Sequence, residues 1–310
     1  MKAVVLEEYG GPEALLLQEV AQPSLARDEL LIKVHNTAIN ALEWKLRKGM
    51  GETFGLELRL PFVLGSEFAG NVEAVGSDVL NFKVGDAVFG FVDVTRSGGY
   101  AEYVTAKPSE MALKPQNIDF VHAAAIPVGA LTSWQALFDT ANLQSGQTIL
   151  VHGATGGVGS MAVQLAKAKG ARVIGTASGR NEEFVRSLGA DQFIDYSTTR
   201  FEDVAQDVDV VFDTIGGETQ ERSFQTLRKG GILVSIVTPP AEDLAARFGV
   251  RAAVVYAQPQ GITLTEIVKL VEAGKLKAKV ETVLPLSQVR QAHQLMKTGH
   301  KRGKIVLQVS

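Results

Sequence analysis

The sequence predicts an α/β protein of two domains: a small β-rich domain followed by a doubly wound parallel sheet. Three observations predict it. A length of 310 residues corresponds to about two domains. Short β-branched or alternating runs separated by turn residues fill the first third of the chain. From Thr148 onward the rhythm changes to alternating strands and helices, which implies a parallel sheet.

In the first third, Lys2 to Leu6, Glu29 to Val34, Ala69 to Val75 and Ala87 to Phe91 read as strands. Gly-Gly-Pro, Pro-Ser, Gly-Ser-Asp and Val-Gly-Asp sequences bound them, and several short strands with regular turn signals suggest a barrel-like domain. Asn40 to Lys48 reads as a short helix. A longer helix from about Phe120 to Ala141 contains Pro127 and Gly129 and is expected to break there.

The second region reads as strands at Thr148 to His152, Arg172 to Ala177, Gln192 to Asp195, Val208 to Asp213, Ile232 to Val237 and Ala252 to Tyr256. Helices are expected to begin near Gly157, Asn181, Thr199, Gly217 and Pro240. Six strands in this order imply a doubly wound sheet. The tail is expected as helix (Leu264 to Ala273), strand (Val280 to Leu284), helix (Ser287 to Lys297) and strand (Lys304 to Val309), rejoining the first domain. The domains are therefore placed at 1–122 with 262–310, and at 123–261. No internal repeat, low-complexity segment or long linker is evident.

The richest stretch is Thr148 to Gly170. An apolar strand enters a turn holding Gly153, Gly156, Gly157 and Gly159. A helix follows, with Val158, Ala162, Leu165 and Ala166 on one face and Lys167 and Lys169 in its last turn. Glycines let a backbone approach a pyrophosphate closely, and the helix N-terminus offers N–H groups and a positive dipole end. The spacing is G-x-x-G-x-x-G rather than G-x-G-x-x-G, but the strand–turn–helix–strand context is that of a dinucleotide site.

The end of the next strand addresses which dinucleotide. NAD sites carry Asp or Glu there to bond the ribose 2′-hydroxyl. Here Gly175 to Asn181 reads GTASGRN, with Ser178 and Arg180 and no carboxylate. A guanidinium binds phosphate oxygens in planar, bidentate fashion, so a 2′-phosphate and hence NADPH are favoured. A preference of about 100-fold requires only about 2.7 kcal/mol. The other reading of Arg180 is a solvated loop charge. Tyr196, after the third strand, is placed to flank the adenine or donate to the phosphate.

Composition narrows the partners. Net charge is −3, with 45% hydrophobic and 21% charged residues, as in an ordinary globular protein without a nucleic-acid surface. The chain has no cysteine, which excludes disulfides, thiolate metal ligands and a cysteine nucleophile. No signal-peptide pattern or membrane-spanning apolar run is seen, and a cytoplasmic location is expected.

The order of motifs resembles the medium-chain dehydrogenase/reductase superfamily. HGATGGVG looks like the cofactor turn of its zinc-free, zeta-crystallin-like quinone oxidoreductase branch. PFVLGSEFAGNVEAVGSDV, VGDAVFGF, GGYAEYV, AAIPVGALTSWQAL and GKIVLQV follow in the family's order across essentially the whole chain. The resemblance implies a GroES-like β-barrel substrate domain, a Rossmann cofactor domain and an active site in the cleft between them. Zinc-dependent members carry Gly-His-Glu where this chain has Gly65-Ser66-Glu67, and their cysteine ligand near Asn40 and four-cysteine lobe are missing here. A catalytic zinc needs about three protein ligands, and Glu67 alone does not hold one.

The same resemblance assigns roles by position. Asn40 matches a residue on the nicotinamide side, with Lys45 one helical turn on. Thr132 matches a threonine beside the nicotinamide ring. Gly153, Thr155, Gly156, Gly157 and Val158 form the turn that would present backbone to the pyrophosphate. Ser178, Arg180 and Tyr196 match the 2′-phosphate pocket, Ile215 and Gly216 the adenosine ribose, and Tyr256 the nicotinamide pocket. Members of the branch often form homodimers along the edge of the cofactor sheet, here Ala252 to Tyr256.

Without a Lewis acid the acceptor must already be electrophilic: a quinone or an α,β-unsaturated carbonyl. Tyr100 has two readings, proton donor or packing aromatic. Glu67 likewise reads as a catalytic acid or a structural acceptor. Trp44 and Phe62 read as substrate-cleft or core residues. His152 reads as packing, and His35, His122, His293 and His300 show no metal-ligand spacing. The basic run from Lys297 to Arg302 reads as a helix end. Two other functions stay open: a zinc-dependent alcohol dehydrogenase, and an NADPH-binding regulatory protein without turnover.

Overall fold

The structure, a computed structural model, describes all residues except Ser97 and 298–301, and the side chains of Phe54 and Lys297 are likewise outside the description. His300 and most of the basic run from Lys297 to Arg302 therefore lie outside the described residues. The chain forms two compact units: 1–131 with 258–274 and 278–310, and 132–257 with 275–277. The first extends past residue 122 because the segment there packs inward: Ala125 is buried with Ala38 and Val306.

The first unit opens with β1 (Lys2–Leu6), β2 (Leu15–Glu19), β3 (Leu30–Ala38), α1 (Ala41–Arg47), β4 (Phe62–Val63), β5 (Glu67–Val75), β6 (Ala87–Phe91), β7 (Tyr103–Ala106), β8 (Met111–Leu113) and α2 (Phe120–Ala124). β1 pairs antiparallel with β2 and β4. The sequence reading has no counterpart to β2, β4, β7 and β8; β4, with two residues, and β8, with three, are too short to display a period. Asn40 caps α1 in a capping box with Glu43, which fixes both side chains at the start of that helix. Asp119 caps α2 by accepting from His122 N at 2.8 Å. The expected long helix breaks at Pro127, where α3 (Pro127–Trp134) begins. Gly129 sits inside α3 without interrupting it, and a π-helical turn, Gln135–Thr140, follows.

The second unit contains β9 (Thr148–His152), α4 (Gly159–Ala168), β10 (Arg172–Ala177), α5 (Glu182–Ser187), β11 (Gln192–Asp195), α6 (Phe201–Val204), β12 (Val208–Asp213), α7 (Gly217–Ser223), β13 (Leu227–Ser235), α8 (Glu242–Phe248) and β14 (Arg251–Val254). Its sheet is parallel in the order β11-β10-β9-β12-β13-β14, the Rossmann arrangement with a switch point beside β9. Ile149, Leu150 and Val151 in β9 are wholly buried, as a central parallel strand requires. Leu150, Ile174, Val211, Phe224 and Leu233 share one core cluster. α4 starts at Gly159 rather than Gly157 because the preceding residues are spent on the turn. β13 starts at Leu227 rather than Ile232, accommodated by a register shift against β12 and by Gly230 at φ +74°. Tyr256 falls beyond β14, which ends at Val254.

The tail supplies α9 (Gly261–Glu272), β15 (Val280–Pro285), α10 (Val289–Lys297) and β16 (Lys304–Gln308). β16 pairs with β3 and completes the first unit's larger sheet, ordered β15-β16-β3-β5-β6-β8, with β7 also on β3. That pairing brings Lys304 to the same sheet as Glu67. Among the described residues no helix is long and apolar enough to cross a membrane.

Candidate active site

In the second unit the glycine turn is shaped by contacts that tolerate no side chain. Gly153 has φ +67°, and a Cβ there would meet Thr214 Oγ1 at 2.4 Å. A Cβ on Gly159 would meet Gly153 O at 2.2 Å, so α4 starts hard against the turn. Gly156 differs: its Cβ would meet only Gly153 O, at 3.5 Å. The first two glycine positions described here thus close the turn on α4, while Gly156 leaves room above the backbone. A diphosphate fits such a cradle at a helix N-terminus. Thr155 and Val158 lie in the same turn, and Ser133 Oγ donates to Val158 O at 3.0 Å. Thr132, next to Ser133 in α3, is buried.

Neighbouring strand ends assemble around this turn. Ala154 N donates to Thr176 O at 3.1 Å, and Thr214 Oγ1 donates to His152 O at 2.8 Å. Ser178 and Arg180 follow β10, and Tyr196 follows β11, whose last residue pairs with Ala177. Tyr196 N donates to Ala177 O at 3.2 Å. Ser178, Arg180 and Tyr196 are thereby brought together, with Arg180 exposed and Tyr196 half exposed. Asn181 Nδ2 donates to Ser178 Oγ at 2.9 Å and orients that hydroxyl.

Two carboxylates that carried no sequence signal shape these loops. Asp195 reaches across from β11: a Cβ on Gly179 would lie 2.4 Å from Asp195 Oδ2. Hydrogen bonds from the Ser197 hydroxyl and N–H hold its carboxyl below the usual range, so it is ionised beside the Ser178–Arg180 turn. Asp213, wholly buried at the end of β12, accepts from Ile215 N and Gly216 N, each at 2.9 Å, and from Gln220 Nε2 and Ser235 Oγ. It fixes the turn that carries Ile215, which is exposed, and Gly216, at φ +79°. Tyr256 follows the outermost strand, two residues past the end of β14. Three strand spacings separate β14 from β9, about 14 Å.

In the first unit a buried polar cluster joins four segments. Lys304 Nζ donates to Glu67 Oε1 at 2.5 Å and to Asn40 Oδ1. Asn40 Nδ2 donates to Glu67 Oε1 at 3.0 Å and to Glu43 Oε1 at 3.3 Å. Glu67 Oε2 accepts from Val128 N at 2.8 Å. Glu43 accepts from Asn40 N and Ser66 N, each at 2.9 Å, and from Ser66 Oγ. Glu43, Glu67 and Lys304 are 1%, 0% and 5% exposed. Glu67 is thus a structural acceptor, and the Asn40 amide is spent on this cluster.

Tyr100 is wholly buried, with its hydroxyl 3.4 Å from His293 Nε2. Burial and the nearby Glu43 and Glu67 push the phenol well above its ordinary pKa. That is the packing reading, since the hydroxyl presents no surface to a substrate. His293 is pushed down to about 3 by burial and by Arg47, and His152 to about 4 by burial. His152 contacts Thr176 Oγ1 at 3.0 Å and Ser223 Oγ at 2.9 Å, so it holds adjacent elements as a neutral ring. Phe62 lines a shallow recess, large enough for about one water molecule, with Leu46, Leu64, Gly65, Ser66 and Val94. Trp44 is half-buried under Lys48, whose Nζ lies 4.7 Å from the ring centre. Burial lowers the pKa of Lys45, on the same helix.

Zinc does not fit this donor set. Among the described residues no group of three His, Cys, Asp or Glu side chains is arranged to hold a metal ion. Where zinc enzymes place a histidine, Ser66 donates its hydroxyl to Glu43, and the neighbouring Glu67 is already bound by an ammonium.

Known proteins resemble the chain in sequence and in overall fold. Residues 26–116 match the profile of the alcohol dehydrogenase GroES-like domain, and residues 188–307 that of the zinc-binding dehydrogenases. The chain is 37% identical to the NADPH-dependent alkenal/one oxidoreductase, chloroplastic, of Arabidopsis thaliana, over 99% of this chain and 79% of that one. It is 32% identical to the quinone oxidoreductase of Rattus norvegicus, over 99% and 97%. The solved quinone oxidoreductase from Coxiella burnetii superposes with a TM-score of 0.92 at 36% identity, over 100% of this chain and 99% of that one.

Proposed function

Since the chain belongs to the medium-chain dehydrogenase/reductase superfamily, among its quinone oxidoreductase-like members, we propose that it is an NADPH-dependent, zinc-independent oxidoreductase that transfers hydride to a quinone or to an α,β-unsaturated carbonyl. The observation that carries this reading is the set of loops at the ends of β9, β10 and β11. They combine a glycine cradle with a hydroxyl, a guanidinium and an aromatic ring, and no carboxylate at the end of β10.

When bound, reduced nicotinamide would supply the hydride, and water or a nearby hydroxyl the proton. The chain's own residues bind and orient. The turn from Gly153 to Val158 would hold the diphosphate on backbone N–H groups, Ser178 and Arg180 would hold the 2′-phosphate, and Tyr196 would flank the adenine. Asp213 fixes the Ile215–Gly216 turn, which would face the ribose. No Lewis acid is needed for acceptors this electrophilic. Both acceptor classes occur among the relatives, an alkenal/one oxidoreductase in one case and a quinone oxidoreductase in the other.

Two further parts of the proposal concern the whole molecule. Among the described residues β14 pairs on one side only, with half-buried Ala252, Ala253 and Val254, which supports a homodimer along that edge. A cytoplasmic location agrees with the absence of cysteine.

The test is turnover of a simple quinone and of an α,β-unsaturated ketone, each with and without a chelator. Chelator-insensitive turnover with at least one acceptor is expected. Tight NADPH binding without turnover of either would replace this reading with the non-catalytic binding protein.

A further inference from the structure

We infer that His152 is a positioning residue for the dinucleotide: its imidazole, held as the Nε2–H tautomer, locks Thr176 and through it presets the backbone of the turn from Gly153 to Val158 for a diphosphate. The inference rests on the dinucleotide reading above and names the side chain that prepares its turn.

The tautomer follows from where each proton is spent. Ser223 Oγ has one proton and donates it to Thr219 O at 2.6 Å. Toward His152 it is therefore an acceptor, and the 2.9 Å contact is a bond donated by Nε2–H. Burial keeps the ring neutral, so Nδ1 carries a lone pair. The 3.0 Å contact at Nδ1 is then a bond donated by Thr176 Oγ1. The opposite tautomer would set the Nε2 lone pair against the lone pairs of Ser223 Oγ. His152 is 1% exposed, with the Phe201 ring packed against it at 4.6 Å between centroids, so water does not compete for these bonds.

Thr176 carries the effect to the turn. It pairs with His152 across β9 and β10, and its carbonyl accepts from Ala154 N at 3.1 Å. The residue whose hydroxyl is held by the imidazole thus also holds the second residue of the turn. The His152 carbonyl accepts from Thr214 Oγ1 at 2.8 Å, the same oxygen that a Cβ on Gly153 would meet. Gly153 and Ala154 therefore leave β9 between two groups that His152 bonds directly. Backbone N–H groups hold an anion best when they are set before it arrives. NADPH and NADH share the diphosphate, so both depend on this arrangement, whereas Ser178 and Arg180 separate them.

The experiment is isothermal titration of NADPH and of NADH into the intact chain, Thr176→Val, His152→Phe and His152→Asn, together with long-range ¹⁵N–¹H correlation spectra of the histidine rings. The ring signal that His152→Asn lacks is expected to be that of a neutral Nε2–H tautomer. Thr176→Val and His152→Phe are each expected to raise the Kd of both dinucleotides by the same factor, about tenfold, because one hydrogen bond behind the turn is lost. His152→Asn, whose Oδ1 overlies Nδ1 and accepts from Thr176, is expected to stay within about threefold of the parent. If His152→Phe folds poorly, Thr176→Val, which trades a hydroxyl for a methyl of similar shape, carries the comparison. An Nδ1–H tautomer overturns the inference, and so does a folded Thr176→Val that is less stable but binds both dinucleotides as the parent does. A loss confined to NADPH also overturns it, since that would lie at the 2′-phosphate. An intact chain that binds neither dinucleotide would overturn the cofactor reading itself and the inference with it.

Discussion

Lys304 Nζ stands 2.5 Å from Glu67 Oε1, an ion pair closed across 237 residues of chain with both partners buried. It ties β16 to β5 and, through Asn40, to α1. Breaking one side of a buried pair strands the other charge and costs about 3–5 kcal/mol, whereas removing both costs less. Lys304→Met and Glu67→Gln should each lose stability on that scale. The double variant should be more stable than either single one. Denaturant unfolding of the four proteins checks this, and additive losses would show that the two groups act independently.

The glycine turn makes a prediction in which folding and binding separate. Gly159→Ala drives a Cβ to 2.2 Å from Gly153 O and should cost about 1–3 kcal/mol of stability. Gly156→Ala meets nothing closer than 3.5 Å and should leave stability within about 1 kcal/mol of the parent. It should nevertheless raise the KM for NADPH about tenfold, because the new methyl fills the space above the turn. Thermal unfolding and steady-state kinetics on both variants decide it. Unchanged NADPH kinetics in Gly156→Ala would remove the diphosphate from this cradle.

Arg180 and Asp195 should act in opposite directions on cofactor choice. Arg180→Ala removes a charge-assisted partner of the 2′-phosphate, worth about 1.5–3 kcal/mol, so NADPH should lose about tenfold to a hundredfold in kcat/KM while NADH is nearly unmoved. Asp195→Asn removes an ionised carboxylate from beside Gly179 and should raise the NADPH-to-NADH ratio a few-fold. Equal changes for both cofactors would mean that Asp195 only shapes its turn.

Acid should destabilise the fold through His152 and His293. Their folded pKa values, about 4 and about 3, lie below the ordinary 6.5. Between those limits the unfolded chain binds protons that the folded chain refuses, so stability falls as pH drops below about 6.5 and is insensitive to these groups above it. His152 alone accounts for about 3 kcal/mol once pH reaches about 4. Urea unfolding at several pH values checks the slope, which His152→Asn should make shallower.

Much of the second unit was legible from sequence because a buried parallel strand is written as an apolar run. β9, β10, β11 and β12 fall where the pattern puts them. The starts of α4 and α8 lie two residues past the sequence reading, α7 starts at Gly217 as read, and α9 starts three residues before Leu264, since turn and first helical residue look alike until hydrogen bonds choose. In the first unit β4 and β8 are too short to show a period. The glycine turn and the Ser178–Arg180 loop were legible because one local segment carries their chemistry. Lys304, Asp195 and Asp213 were not, since each gains its role from a distant partner or from backbone N–H groups that no spacing announces. The closing GKIVLQV motif contained Lys304 without indicating that its ammonium turns inward to Glu67.

The measurement that bears most directly on the central claim is the ratio of kcat/KM for NADPH to that for NADH, with a simple quinone as acceptor. A ratio on the order of 100 is predicted, equivalent to about 2.7 kcal/mol at the 2′-phosphate. A ratio at or below about one would contradict the account, because Ser178 and Arg180 would then contribute nothing to the choice of cofactor.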